Sequence, residues 1–136
     1  MASNAQTGSA DQALIALRPP FVDQRGEIHN LLDVPISSVA VITSVKGAMR
    51  GNHYHKTDYH YCWLQSGGMT YIHRPVGQTT APEKWIISVG QMFYTPPMYE
   101  HAMYFTEDSV LFVFARNNRE MEYYEADTVR VPSIIV

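Results

Sequence analysis

From Phe21 onward the chain breaks into short apolar or alternating runs, none of which sustains a helical period. The runs are Glu27 to Leu32, Ser38 to Val45, Asp58 to Leu64, Met69 to Arg74, Lys84 to Val89, Met92 to Tyr94, His101 to Phe105 and Val110 to Arg116. Gly, Asp, Ser and Pro stand between them, as in Lys46-Gly47, Ser66-Gly67-Gly68, Pro75-Val76-Gly77 and Glu107-Asp108-Ser109, and each can take turn geometry. Strands this short cannot bury themselves singly; they pair and fold over one another into a sandwich or a small barrel. The expectation is an all-β fold, a single antiparallel β-barrel. Only Asn117 to Ala126 has a composition compatible with a helix. Residues 1–17, polar at first and then stopped by Arg18, Pro19 and Pro20, are expected to be a flexible N-terminal tail, leaving 18–136 as the barrel domain. A chain of 136 residues holds one core of this size and not two.

Charge and cysteine content narrow the chemistry. Ten Lys plus Arg against thirteen Asp plus Glu leave a net charge of -3, which offers no broad cationic surface to a phosphate backbone, so nucleic acid is not an expected partner. Apolar runs such as Val110 to Ala115 are far shorter than a membrane span, and no basic-then-apolar leader opens the chain, so a soluble, cytoplasmic protein is expected. Cys62 is the only cysteine, and any metal site must therefore be built from His and carboxylates. In Asp58 to Leu64, strand alternation turns His60, Cys62 and Leu64 to one face and Tyr59, Tyr61 and Trp63 to the other. Those outer aromatics need cover from an N-terminal strand or a second subunit, and a homodimer is expected.

Three of the six histidines fall within Gly51 to His60. In an extended chain His53 and His55 share a face, so their rings converge on one point, the geometry by which a strand chelates a metal. His60 lies past a turn and can return toward the same cavity. His101 opens another strand behind the rigid Pro96-Pro97 pair. Four neutral nitrogens suit one divalent transition metal, Zn, Fe, Ni or Cu, and suit Mg or Ca poorly.

These residues resemble the cupin superfamily over the stretch from Phe21 to the C-terminus. Its first motif is matched by Gly47, His53-Tyr54-His55, His60 and Gly67 at the family's spacings, with His60 in place of the usual Glu. Its second is matched by Gly90, Pro96 and His101, with Met98 where a turn glycine is usual and Phe105 where an Asn is usual. The resemblance implies a jelly-roll, or double-stranded β-helix, barrel with a metal in its mouth held by His53, His55 and His101, and by His60 at the Glu position. Asp23-Gln24-Arg25-Gly26, the run from Lys46 to Lys56 and the run from Pro97 to Asp108 are similar to the small cupins that rearrange nucleotide-linked deoxysugars. These are the sugar-nucleotide 3,4-ketoisomerases and the cupin half of capsular-polysaccharide epimerases, the latter sharing His-Tyr-His and an Asp-Thr, here Asp127-Thr128. That likeness implies proton transfer by His53 and His55, with His60 beside them as a further acid, base or ligand.

Arg50 offers paired donors to a phosphate or carboxylate, and Gln65, Glu100 and Tyr104 are candidate substrate contacts. His29 and His73 read as surface histidines and Cys62 as a small buried apolar residue. Three functions fit: an isomerase or epimerase of a keto-deoxysugar nucleotide, an Fe(II)- or Ni(II)-dependent dioxygenase, and a non-catalytic metal-containing sensor. All three take a small-molecule ligand.

Overall fold

The computed structural model describes residues 8–135. A hairpin of β1 (Phe21–Asp23) and β2 (Gly26–Ile28) precedes β3 (Ser38–Ser44), β4 (Met49–His55), β5 (His60–Ser66), β6 (Met69–Pro75), β7 (Glu83–Ile87), β8 (Met92–Thr95), β9 (Tyr99–Phe105) and β10 (Ser109–Ala115). The chain then forms α1 (Met121–Asp127), a short helix shifted a few residues beyond the expected start, and β11 (Thr128–Arg130). Two antiparallel sheets face each other, ordered β3-β10-β5-β8 and β11-β4-β9-β6-β7. This interleaving of β3 to β10 is the jelly roll.

The sheets do not close into the expected barrel; at each open side one of the two edges, β8 or β4, already carries another partner. Along β8, Ile15 donates to the Met92 carbonyl, the Tyr94 N–H donates to the Ala13 carbonyl, and Leu14 bridges Phe93. Along β4, β11 supplies the outer partner. The same contacts lay Ala13, Leu14 and Ile15 of the expected tail along β8. Ala13 is wholly buried in the interior and Ile15 nearly so, which outweighs the low apolar content of the segment around them. Residues 1–7 of that tail lie outside the described residues.

Alternation along each strand builds the core. Cys62 and Leu64 of β5, Tyr71 of β6, Phe93 of β8, Phe105 of β9, and Leu111 and Val113 of β10 meet between the sheets. Burying each large apolar side chain here is worth about 1.5–3 kcal/mol. The opposite face of β5 behaves as its sequence requires: Tyr61 and Trp63 pack with Met92, Ile15, Leu17 and Leu31, so the N-terminal segment supplies the cover. At one end of the sandwich the apolar filling gives way to histidines. No helix among the described residues is long and apolar enough to cross a membrane.

Candidate active site and metal centre

His53 and His55 sit on one face of β4, and a bulge brings them against β9. The β4/β9 register shifts between Gly51 and His53, after which His53 stands directly opposite His101. The bulge is built from Gly51 at φ 89° and Asn52 at φ 56°. Only glycine fits at position 51, since a Cβ there would lie 2.8 Å from the His101 carbonyl oxygen. His60 does not return on the strand next to β4; β5 belongs to the facing sheet, and His60 reaches the cluster from across the interior. Ring centroids lie 4.8 Å apart for His53 and His55, 4.7 Å for His53 and His101, and 4.6 Å for His55 and His60.

Hydrogen bonds behind the rings fix which nitrogen faces inward. The Thr128 hydroxyl donates to the Tyr124 carbonyl at 2.6 Å, so it accepts from His55 Nδ1–H at 3.2 Å. His101 Nδ1–H donates to the Tyr99 carbonyl at 3.2 Å. Both rings are left with an Nε2 lone pair. His55 Nε2 and His53 Nδ1 are buried without any hydrogen-bond partner, a costly arrangement unless something else binds them. One nitrogen from each of His53, His55 and His101 lies within 4.8 Å of the others. Burial, reinforced by neighbouring His60, lowers His53 to about 4 and His55 to about 3, and burial also holds His101 well below the ordinary imidazole value. Three neutral imidazoles with unshared lone pairs turned to one centre are a donor set that fits a divalent transition metal.

His60 is held differently. Its Nε2 lies 2.9 Å from Asp58 Oδ2, and both side chains are buried. Burial works to raise the Asp58 carboxyl, but the His60 hydrogen bond, the His60 charge and the Asn117 N–H outweigh it and hold it below the usual carboxylate value. The Asp58 position is itself braced, because the Asp127 carboxylate accepts from Thr57 N–H, Thr57 O–H and Asp58 N–H at 2.9, 2.9 and 3.0 Å. With Nε2–H given to Asp58, His60 Nδ1 is the nitrogen left with a lone pair.

His53, His60 and His101, together with Thr95, border a cavity of about 170 Å³. Arg50 also borders it, with Nε bonded to Ser44 and a terminal nitrogen bonded to the Thr43 carbonyl. Arg119 and Tyr124 close the cavity from the C-terminal segment, the guanidinium 4.7 Å from the centre of the Tyr124 ring. Gln65, Glu100 and Tyr104 lie outside this lining. Gln65 is exposed on the outer parity of β5, Glu100 is paired with Arg74 at 3.0 Å, and Tyr104 is 38% exposed on the outer face of β9. His29 is exposed beside Glu27, whereas His73, expected at the surface, is wholly buried. Cys62 is buried, as expected, and burial pushes its thiol up.

Asp58, Thr95, Arg119 and Tyr124 carry no signal in sequence spacing, because only the return of β5, β8 and the C-terminal segment to one end brings them together. Met98 keeps the backbone of the motif glycine it replaces, at φ 59°, pinned by its N–H to the His55 carbonyl and its carbonyl to the Val76 N–H.

No family model and no curated protein matches the sequence. Solved structures do. The 3,4-ketoisomerase QdtA from Thermoanaerobacterium thermosaccharolyticum, in complex with TDP, superimposes with TM-score 0.66 at 26% identity over 89% of this chain and 88% of that one. A variant of the same protein holding TDP-4-keto-6-deoxyglucose gives TM-score 0.66 at 25% identity. The fold is a cupin. A dTDP-4-dehydrorhamnose 3,5-epimerase from Sulfolobus tokodaii has this cupin fold too, with TM-score 0.71 at 20% identity over 90% of this chain and 78% of that one. The capsular polysaccharide assembling protein CapF from Staphylococcus aureus matches with TM-score 0.65 at 22% identity over 85% of this chain, and this cupin spans 32% of CapF.

Proposed function

We propose that this cupin is an isomerase or epimerase of a keto-deoxysugar carried on a nucleotide, and that it holds a divalent transition metal on His53, His55 and His101. The observation that carries the reading is the pairing of two different histidine environments around one cavity. Three rings turn unshared lone pairs to a common centre, and a fourth, His60, is backed by Asp58. The likeness to QdtA supports the substrate class. A cavity of about 170 Å³ is smaller than the roughly 300–1,000 Å³ that takes a drug-sized ligand. It admits one sugar ring and leaves the nucleotide to the rim, where Arg50 and Arg119 supply positive charge.

His60 acts as the general base. Its Nδ1 lone pair takes the proton from the carbon next to the sugar carbonyl, the C–H electrons form the enediolate double bond, and the carbonyl oxygen takes the charge. Asp58 keeps the His60 proton on Nε2 beforehand and stabilises the imidazolium afterwards. Return of the proton by the His60 imidazolium to the former carbonyl carbon, with the hydroxyl proton of the first carbon passing to the former carbonyl oxygen, is isomerisation; epimerisation instead needs a second acid to protonate the first carbon from the opposite face while the enediolate oxygen reverts to the carbonyl. A divalent metal held by His53, His55 and His101 would supply Lewis acidity toward the carbonyl oxygen.

Incubation with TDP-4-keto-6-deoxyglucose in deuterated water tests this. Deuterium should enter the carbon beside the carbonyl without oxygen consumption, and His60→Gln should slow exchange by about 10²–10⁴-fold. No exchange in the metal-loaded protein, or exchange unaffected by His60→Gln, refutes it. The chain is further proposed to form a homodimer through the outer face of β3, where Val39 and Val41 are 56% and 57% exposed. Sedimentation should give twice the chain mass, and Val41→Lys should return it to the monomer.

A further inference from the structure

A second cavity, of about 500 Å³, lies between α1, the loop that joins β4 to β5 and the segment that follows β10, and none of the clustered histidines lines it. Its wall carries two cations, Lys56 and Arg116, and one carboxylate, Asp127. The volume falls within the roughly 300–1,000 Å³ that takes a small organic ligand.

The carboxylate and amide acceptors in this wall are already engaged. Asp127 Oδ1 takes the Thr57 N–H and O–H, and Oδ2 takes the Asp58 N–H. Thr57 Oγ, having donated to Asp127, accepts from Asn117 Nδ2 at 2.9 Å. Asn117 Oδ1 accepts from Arg116 at 3.3 Å, and Asn118 Oδ1 accepts from the Glu120 N–H at 3.0 Å. The donors are not used up. The Lys56 ammonium, Arg116 Nε and its second terminal nitrogen, Asn118 Nδ2, and the Ser37 and Tyr123 hydroxyls make no hydrogen bond among the described residues. A wall with two cations, spare donors and a carboxylate already committed to the β4–β5 loop is complementary to an anion, and a guanidinium with two adjacent open N–H groups suits the paired oxygens of a phosphate.

The same wall is one residue away from His60. The Asn117 N–H donates to Asp58 Oδ1 at 2.9 Å, and Asp58 Oδ2 lies 2.9 Å from His60 Nε2. Arg116 holds the wall only lightly, since its bonds to the Thr57 carbonyl and to Asn117 Oδ1 are both 3.3 Å, long for N–H···O. A phosphate that draws the guanidinium toward itself takes those bonds from Thr57 and Asn117, the two residues next to Asp58 in the bonding pattern.

We propose that this cavity is a second ligand site, taking a small molecule that bears a phosphate group held by Lys56 and Arg116, and that its occupancy reaches His60 through Asn117 and Asp58. The site stands independently of the sugar-nucleotide reading, because no group at the histidine centre enters the argument for the anion.

NMR of the full-length chain, titrated with inorganic phosphate at constant ionic strength, tests the proposal. The Asn118 Nδ2 resonances should shift saturably with phosphate and not with chloride. Lys56 is exposed, so Lys56→Met keeps the fold and the length of the side chain while removing its charge, and it should weaken binding by about tenfold or more. The nitrogen-15 resonance of His60 Nε2 should move with the same midpoint as the Asn118 signal. Arg50→Gln, at the histidine cavity, should leave both responses in place. No saturable shift, an equal shift with chloride, or unchanged affinity in Lys56→Met overturns the site. A His60 resonance that stays still while Asn118 saturates, or a His60 response lost in Arg50→Gln and kept in Lys56→Met, overturns the coupling.

Discussion

Acidification should destabilise the protein through His73 in a bounded pH window. Burial lowers His73 from its ordinary 6.5 to about 4, against which the hydrogen bond to the Ala10 carbonyl works only in part. The unfolded chain therefore takes up a proton near pH 6.5, whereas the folded chain refuses it until about pH 4. The stability due to the neutral ring is complete above about 6.5, declines as pH falls through the interval, and is spent below about 4. A difference of about 2.5 units, at about 1.4 kcal/mol each, amounts to about 3 kcal/mol. That is a large share of the roughly 5–15 kcal/mol by which domains of this kind are stable. The assay is urea denaturation across this range with a chelator present, comparing wild type with His73→Gln. Glutamine keeps an acceptor for Tyr71 and a donor for Ala10 but cannot titrate. His53, His55 and His101 shift in the same direction in both proteins, so the difference between the two curves isolates His73. It should grow in favour of the variant by about 3 kcal/mol as pH falls to about 4, and then level off. A flat difference, or one of opposite sign, refutes the reasoning.

The remaining predictions concern strain and the metal. Met98 holds φ 59° with a side chain 46% exposed, so Met98→Gly relieves left-handed strain at little packing cost and should raise stability by about 0.5–1 kcal/mol in thermal denaturation. His101→Ala should abolish stoichiometric binding of zinc in a chelator-competition assay, while His29→Ala should not. Thr128→Val, which removes the acceptor behind His55 Nδ1, should weaken zinc by about 10–100-fold, and Thr128→Ser should restore it.

The strand succession was legible because its causes are local. Alternation marks β3, β5, β6 and β10, and turn residues mark their ends, so the expected runs and the observed strands differ by a residue or two. β4 was hidden within its own motif, since Gly51 and Asn52 break the alternation at the bulge that presents the histidines. The shared face of His53 and His55 was readable from their spacing. The Asp58–His60 contact was not, because both side chains turn inward only after Asp127, sixty-nine residues past Asp58, has gathered the intervening loop. Gln65, Glu100 and Tyr104 were proposed for their chemistry. Strand parity already turned Gln65 and Tyr104 outward with Trp63 and Ala102. His73 misled for the opposite reason, since its place beside Arg74 and Pro75 suggested a strand end at the surface. Its partner Ala10 belongs to a segment whose composition gave no sign of docking.

Both ends of the chain pair an edge that the eight jelly-roll strands leave open. Leaving β11 aside, the two four-stranded sheets have edges at β3, β8, β4 and β7, and an unpaired edge is a row of unsatisfied N–H and C=O groups; the chain ends take up those at β8 and β4. The N-terminal segment satisfies the first, and in doing so places the Ala10 carbonyl against His73. The C-terminal strand β11 satisfies the second, and in doing so places Thr128 behind His55 and, through α1, Tyr124 over the cavity. Edge pairing is a requirement of any sheet. Here the residues that meet it also set which nitrogen of His55 and which nitrogen of His73 carries the proton, so the same two segments that pair the sheet edges orient these two buried rings.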